Sequence, residues 1–250
     1  MEISIKRDGL SLRGDLIRPN SQKSPVAVIF HGLMANRGKD KSYMFCKMAD
    51  ALINAGIAVV KFDFDGHGES DGDFSDMNVY SEILDAAKII DYVRALDFVT
   101  DIYIVGHSQG ALVGGMTAGY YREYVKKLVM LAPAASLKDD ALKGSCFGIS
   151  YDIYNTPEYI TMTNVENQKF NVGGLYFRLA RTLPVYETTS MFEGETLIIH
   201  GSNDEAVSLS GAKKYTEYMK NAVLEIIEGE THGFELSLDK TVDRIVEFLK

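Results

Sequence analysis

Six short runs of β-branched, aliphatic and aromatic residues alternate along this chain with segments of helical spacing, and that alternation restricts its fold more than any other feature. The runs are Val26–Phe30, Ile57–Phe62, Ile102–Val105, Leu128–Leu131, Thr196–Ile199 and Leu224–Ile227. Continuous apolar runs suit strands buried on both faces, which is the condition of a parallel sheet covered by helices. The segments Tyr43–Ala55, Tyr80–Leu96, Ala111–Tyr121, Ser210–Met219 and Thr241–Leu249 carry apolar residues at helical spacing and supply the crossovers. Ahead of them, Glu2–Arg7 and Leu10–Arg18 alternate apolar and polar residues and meet at Asp8-Gly9, a favoured hairpin-turn pair. The expected architecture is α/β: a mostly parallel central sheet with helices on both faces and an N-terminal antiparallel hairpin at one edge.

At 250 residues and 46% hydrophobic, the chain fits one domain over residues 1–250 with a large core. One stretch breaks the rhythm. From about 134 to 189 there is no clean strand-helix unit; Gly144, Gly148, Gly173 and Gly174 alternate with Phe147, Tyr151, Tyr154, Tyr159, Tyr176, Phe177 and Tyr186. A structureless connection of that length is improbable inside a compact domain, so an inserted cap or lid is expected there.

In sheets of this kind ligands bind beyond the carboxyl ends of the strands, so the loops after the apolar runs are where chemistry belongs. The third run leads directly into Gly106-His107-Ser108-Gln109-Gly110, a G-x-S-x-G pentapeptide, and a helical segment follows at once. A serine on a sharp strand-to-helix turn projects its Oγ from the strand end, and glycines two residues to either side leave room for the crowded backbone. Serine alone is a poor nucleophile near neutrality. It needs a general base within roughly 2.6–3.2 Å and a third group to hold that base.

Both partners lie in later strand-exit loops, in the order nucleophile, acid, base. Asp204 falls in His200-Gly201-Ser202-Asn203-Asp204, after the fifth run, and His232 falls in Thr231-His232-Gly233-Phe234, after the last. Of the five histidines, only His232 sits between the last strand and the last helix; His31 and His67 are expected to hydrogen-bond loop backbone, His107 precedes the nucleophile and His200 ends a strand. Glu205 is the rival to Asp204, but adjacent loop positions point apart and Glu is longer. Acyl transfer also needs two N–H donors aimed at the developing oxyanion. Gln109 supplies the amide after the nucleophile, and His31-Gly32-Leu33-Met34, after the first run, offers the Leu33 amide.

Other chemistries find little support. The stretch from Phe62 to Asp73 is dense in carboxylates yet lacks the ligand order and closing glutamate of an EF-hand, so it reads as a structural loop near the site. The His, Asp and Cys residues show no zinc spacing and no nucleotide-binding glycine loop occurs, so neither a metal nor a cofactor is expected. A net charge of −9 opposes attraction to nucleic acid or to an anionic membrane surface. No apolar run approaches the ~20 residues of a membrane span. The two cysteines, Cys46 and Cys146, form no disulfide framework, and Met1–Leu16 has no signal-like apolar core; a soluble, cytoplasmic protein is expected.

With these residues in place, the chain resembles the bacterial cinnamoyl (feruloyl) esterases of the α/β-hydrolase superfamily, which release hydroxycinnamic acids from their esters. The likeness runs nearly end to end, through Phe30-His31-Gly32-Leu33-Met34-Ala35-Asn36-Arg37, Asp63-Phe64-Asp65-Gly66-His67-Gly68-Glu69-Ser70, Val105-Gly106-His107-Ser108-Gln109-Gly110 and Leu131-Ala132-Pro133-Ala134-Ala135. The resemblance implies an α/β-hydrolase fold and a serine esterase with a small aromatic ester as substrate, and it permits a homodimer. It also implies that Asp140, in Leu137-Lys138-Asp139-Asp140, and Tyr176, in Gly174-Leu175-Tyr176-Phe177, bind the para-hydroxyl of a phenolic acyl group. Phe147 departs from the family, in which a glutamine can help to shape that pocket. A short-chain acyl esterase or monoacylglycerol lipase is the nearest alternative, an acyltransferase would use the same acyl-enzyme, and a non-catalytic binding protein is the alternative of another class.

Overall fold

The computed structural model describes residues 1–38 and 43–250. In chain order the elements are β1 (Glu2–Arg7), β2 (Leu10–Ile17), β3 (Ser24–Phe30), α1 (Met44–Asn54), β4 (Ala58–Phe62), α2 (Val79–Arg94), β5 (Val99–His107), α3 (Gln109–Tyr120) and β6 (Val125–Leu131). There follow α4 (Leu137–Leu142), β7 (Ser145–Cys146), β8 (Ile149–Ser150), β9 (Tyr159–Thr163), β10 (Lys169–Gly173), α5 (Gly174–Ala180) and α6 (Val185–Thr189). The chain closes with β11 (Glu195–Gly201), α7 (Leu209–Tyr218), β12 (Ala222–Ile227) and α8 (Leu238–Leu249).

Eight strands form one sheet in the order β1-β2-β4-β3-β5-β6-β11-β12. β2 pairs antiparallel with both β1 and β4, and every other pairing is parallel. The hairpin at Asp8-Gly9 turns with positive φ at both residues, 50° and 91°, the backbone that a two-residue turn matching strand twist requires. Because it inserts β2 rather than β1 against β4, only β2 runs counter to the rest of the sheet.

Alternation along each buried strand sends side chains to two cores. Val26, Val28 and Phe30 of β3 join the side covered by α2, α3 and α7, whereas Ala27 and Ile29 join Phe45, Leu52, Val242 and Ile245 of α1 and α8 on the other. Parallel pairing then aligns the strand exits. Phe30 is opposite Gly106, Gly106 opposite Met130, Leu131 opposite Ile199 and Gly201 opposite Ile227. Loops beginning near residues 31, 108, 132, 202 and 228 therefore leave the sheet side by side.

Between β6 and β11 the chain makes two small antiparallel pairs, β7-β8 and β9-β10, among the short helices α4, α5 and α6. The exposure of β9 alternates, with Ile160 and Met162 buried and Tyr159, Thr161 and Thr163 outward. Among the described residues, no helix is long and apolar enough to cross a membrane.

Candidate active site

One residue separates β5 from α3, and it is Ser108. Its φ of 56° and ψ of −122° lie in a region that residues with a side chain seldom occupy, so the turn persists only because its surroundings over-determine it. The Ser108 amide donates to Leu131 O at 2.8 Å, and its carbonyl accepts from the amides of Ala111, Leu112 and Ala134 at 3.1, 3.3 and 3.0 Å. The flanking glycines are required by contact. A Cβ on Gly106 would lie 2.3 Å from Gly110 O, and a Cβ on Gly110 would lie 2.3 Å from His31 O and 2.4 Å from Phe30 O.

The loop after β3 passes beside this turn, since a Cβ on Gly32 would stand 3.0 Å from Ser108 Cβ and 3.5 Å from its Oγ. Leu33 follows Gly32 on that loop. As the first residue of α3, Gln109 has an amide with no partner inside the helix, at the end where the helix dipole favours negative charge. His31 fixes the loop: its Nδ1–H donates to Gly32 O at 2.9 Å, and its Nε2 accepts from the Phe64 amide at 3.1 Å. Arg37 fixes it further. Its amide donates to Asp63 Oδ1 at 2.7 Å, and its guanidinium contacts Asp63, Asp15 (3.2 Å) and Glu69 (2.5 Å).

Asp204 Oδ2 lies 2.7 Å from His232 Nδ1, so the imidazole donates through Nδ1 and keeps Nε2 free to accept a proton. The acid is fully enclosed, its side chain 1% exposed, and its Oδ1 accepts from the amides of Ala206 and Val207 at 2.9 and 2.8 Å. Burial alone would raise its pKa; the hydrogen bonds from His200, His232 and the Val207 amide outweigh that and hold the carboxyl well below its usual range. Glu205 is exposed. The His232 carbonyl lies 2.9 Å from His107 Nε2, which seats the base loop on the residue before Ser108. Ser108 Oγ and the His232 ring are not hydrogen-bonded to each other among the described residues. Contacts of that kind often tighten only when substrate binds.

Asp140 sits half-buried on α4 and Tyr176 sits 1% exposed on α5, which packs against α4. They have a common neighbour in Cys146: burial chiefly, and then the Asp140 charge, pushes its thiol up, while burial first, and Cys146 after it, raises the Tyr176 phenol. Asp140 and Tyr176 share no hydrogen bond. The Tyr176 hydroxyl instead donates to the side chain of Gln109 at 2.5 Å. Phe147 is half-buried with a φ of 48°.

Three side chains with a bearing on the site escaped the sequence reading. His200 Nε2 approaches Asp204 Oδ2 at 3.2 Å, four residues along the same strand exit. Glu230, buried, accepts from the Thr231 and Leu236 amides at 2.9 and 3.2 Å and from the Ser237 hydroxyl, closing the loop that carries His232. Glu82 accepts from Gln109 Nε2 at 2.7 Å. Glu82 and Asp85 did carry a signal, because they interrupt the apolar stripe of Val79, Ile83, Ala86, Ile89, Ile90 and Val93 on α2. The carboxylate-rich stretch after β4 behaves as a structural loop: Asp63 binds Arg37, Asp65 binds Arg7, and Asp71 accepts from the Ser11 amide. Among the described residues, no three His, Cys, Asp or Glu side chains are arranged to hold a metal ion.

A doubly covered, mostly parallel sheet with its serine on the β5–α3 turn defines an α/β-hydrolase. The chain belongs to the Hydrolase_4 family (Serine aminopeptidase, S33), whose model matches residues 21–150, more than half its length. It is similar to Est1E from Butyrivibrio proteoclasticus, solved with ferulic acid bound, at 32% identity and a TM-score of 0.91 over 99% of this chain and 97% of that one. It is also similar to the monoglyceride lipase homolog of Monkeypox virus, 22% identical with 89% of this chain and 87% of the relative covered. A probable lysophospholipase L2 of Haemophilus influenzae is 23% identical over 87% of this chain and 80% of its own length. The family and the Est1E match bear out the resemblance drawn from the sequence, and the protein is a serine hydrolase of the esterase type.

Proposed function

We propose that this enzyme is a carboxylic ester hydrolase working through an acyl-enzyme, with hydroxycinnamic acids as its favoured acyl groups. The observation that carries the mechanism is the enclosed Asp204 carboxylate 2.7 Å from His232 Nδ1, in a loop seated beside a serine on a strained turn. Ser108 Oγ attacks the ester carbonyl while His232 Nε2 takes its proton. The amides of Leu33 and Gln109 receive the oxyanion, and collapse of the tetrahedral intermediate expels the alcohol, which leaves with that proton. Water, deprotonated by His232, then releases the acid and restores the serine.

The acyl preference rests on the 32% identity to Est1E and on Asp140, which is half-buried on α4 and able to accept from a phenol hydroxyl. A slot that satisfies a buried hydroxyl discriminates against esters lacking one, because its own polar group is then left unpaired. Residues 134–189 act as the cap supplying that slot. A second reading, a short-chain acyl esterase or monoacylglycerol lipase, is favoured by the likeness to the monoglyceride lipase homolog.

Ethyl ferulate and p-nitrophenyl butyrate separate the two. The hydroxycinnamate reading expects a higher kcat/KM on the ferulate, and Asp140→Ala to impair that substrate while sparing p-nitrophenyl acetate. A kcat/KM no better on the ferulate, or equal losses on both esters in Asp140→Ala, would favour the lipase-type reading.

A further inference from the structure

Gln109 does two things at once. Its backbone N–H opens α3 next to Ser108, and its side chain, wholly buried, is gripped at both ends. The amide nitrogen Nε2 donates to Glu82 Oε2 on α2 at 2.7 Å, and Oε1 accepts from the Tyr176 hydroxyl on α5 at 2.5 Å. Two elements distant in sequence, α2 and α5, thus converge on the residue that follows the nucleophile.

Glu82 and Tyr176 are each 1% exposed, so this is an internal polar chain with no access to bulk water. Such chains are costly to bury: Glu82 Oε1 has no partner among the described residues, and apolar side chains at the three positions would avoid that loss. Burial, reinforced by the nearby Asp65 and Asp85 and opposed by the Gln109 bond, drives the Glu82 carboxyl well above its usual range. What Gln109 uses is the acceptor oxygen Oε2 of that carboxyl. A polar device of that cost needs a purpose at its centre.

We propose that Glu82 and Tyr176 are positioning residues for the oxyanion hole: by clamping both ends of the Gln109 side chain they fix the direction of its backbone N–H. This rests on the acyl-enzyme reading in which that amide binds the oxyanion. It also reassigns Tyr176, which then serves every ester alike through Gln109 rather than recognising a phenol. Oxyanion donors act by preorganisation, so a donor free to swing loses transition-state stabilisation while ground-state binding is little changed. The expected signature is a fall in kcat with KM nearly constant, independent of the acyl group.

The test compares Tyr176→Phe, Glu82→Ala and Glu82→Gln with wild type on p-nitrophenyl acetate and ethyl ferulate, with circular dichroism and thermal melts to establish folding. Tyr176→Phe removes a single oxygen and keeps the ring. It should lower kcat by about 10-fold on both esters, and Glu82→Ala by about 10- to 100-fold. Glu82→Gln, neutral and isosteric, should recover most of what Glu82→Ala loses. A Tyr176→Phe variant that raises KM for ethyl ferulate and leaves p-nitrophenyl acetate untouched would overturn the proposal, as would a folded Glu82→Ala enzyme with wild-type kcat. If Glu82→Ala does not fold, Tyr176→Phe decides alone: a uniform kcat loss on both esters supports the proposal, and wild-type kcat on both overturns it. Ser108→Ala in the same assays checks the underlying mechanism separately: residual turnover there would refute the acyl-enzyme reading itself.

Discussion

Replacing His67 with leucine should make the protein relatively more stable in acid, by an amount that follows from where the histidine sits. His67 is 3% exposed, its Nδ1–H donates to Asp65 O at 3.0 Å, and its ring centroid lies 4.9 Å from that of His31, the two rings tilted by 54°. Burial first, and then the proximity of His31, lower its pKa from 6.5 to about 3. In the unfolded chain it returns to about 6.5. Between those values the unfolded state binds a proton that the folded state refuses, so the stability His67 contributes is complete above pH 6.5 and is lost as pH falls towards 3. At pH 5 the loss is the 1.5-unit gap times about 1.4 kcal/mol per unit, or about 2 kcal/mol. Urea melts of wild type and His67→Leu at pH 8 and pH 5 read this directly. Groups common to both proteins cancel, including Glu82, whose raised pKa acts in the opposite sense. The variant pays a pH-independent cost for the lost hydrogen bond, but its stability relative to wild type should improve by about 2 kcal/mol on going from pH 8 to pH 5. Parallel pH dependences in the two proteins would refute the reasoning. His31 acts in the same sense from pH 6.5 down to about 4, in wild type and variant alike. Its pKa is lowered to about 4, chiefly by burial, and on protonation its Nε2 can no longer accept from Phe64, which frees the loop carrying Leu33.

Three further outcomes follow from the same structure. Gly110→Ala drives a Cβ into the carbonyls of His31 and Phe30, at 2.3 and 2.4 Å, which cannot rotate away; it should cost about 3 kcal/mol in chemical denaturation and misplace Ser108. Arg37→Met leaves the buried Asp63 carboxylate without its cation, and urea melts should show a loss of about 3–5 kcal/mol. Asp204→Asn keeps the shape but not the charge that orients His232, so kcat should fall by about 10⁴-fold, whereas Glu205→Gln, altering an exposed neighbour, should stay close to wild type in a p-nitrophenyl ester assay.

Much of the fold was legible because its strands are buried on both faces. The apolar runs foresaw β3, β4, β5, β6, β11 and β12, and Asp8-Gly9 foresaw the hairpin, with ends differing by a few residues where exposed polar residues near strand termini, such as Thr100 and Glu195, carry no apolar signal. Residues 134–189 resisted for the converse reason. Their two-stranded pairs and short helices are too brief to build a period, although Tyr159–Thr163 does alternate once its burial is known. At the site, strand-exit position leads to Ser108, Asp204 and His232 as candidates, of which Asp204 and His232 stand 2.7 Å apart. Sequence could not tell how side chains from distant elements meet. The family resemblance implied that Tyr176 binds the para-hydroxyl of a phenolic acyl group and gave no sign of its hydrogen bond to Gln109; Glu82 was hidden inside a helix read only for its apolar stripe. Polar residues on an apolar face are where such a reading has most to gain.

The central claim, that Ser108 becomes acylated in the course of ester hydrolysis, is tested most directly by intact-mass spectrometry after treatment with a fluorophosphonate. A single adduct on the wild-type protein, lost in Ser108→Ala and strongly slowed in Asp204→Asn, is the predicted result. An unlabelled wild type, or an adduct that persists in Ser108→Ala, would contradict it.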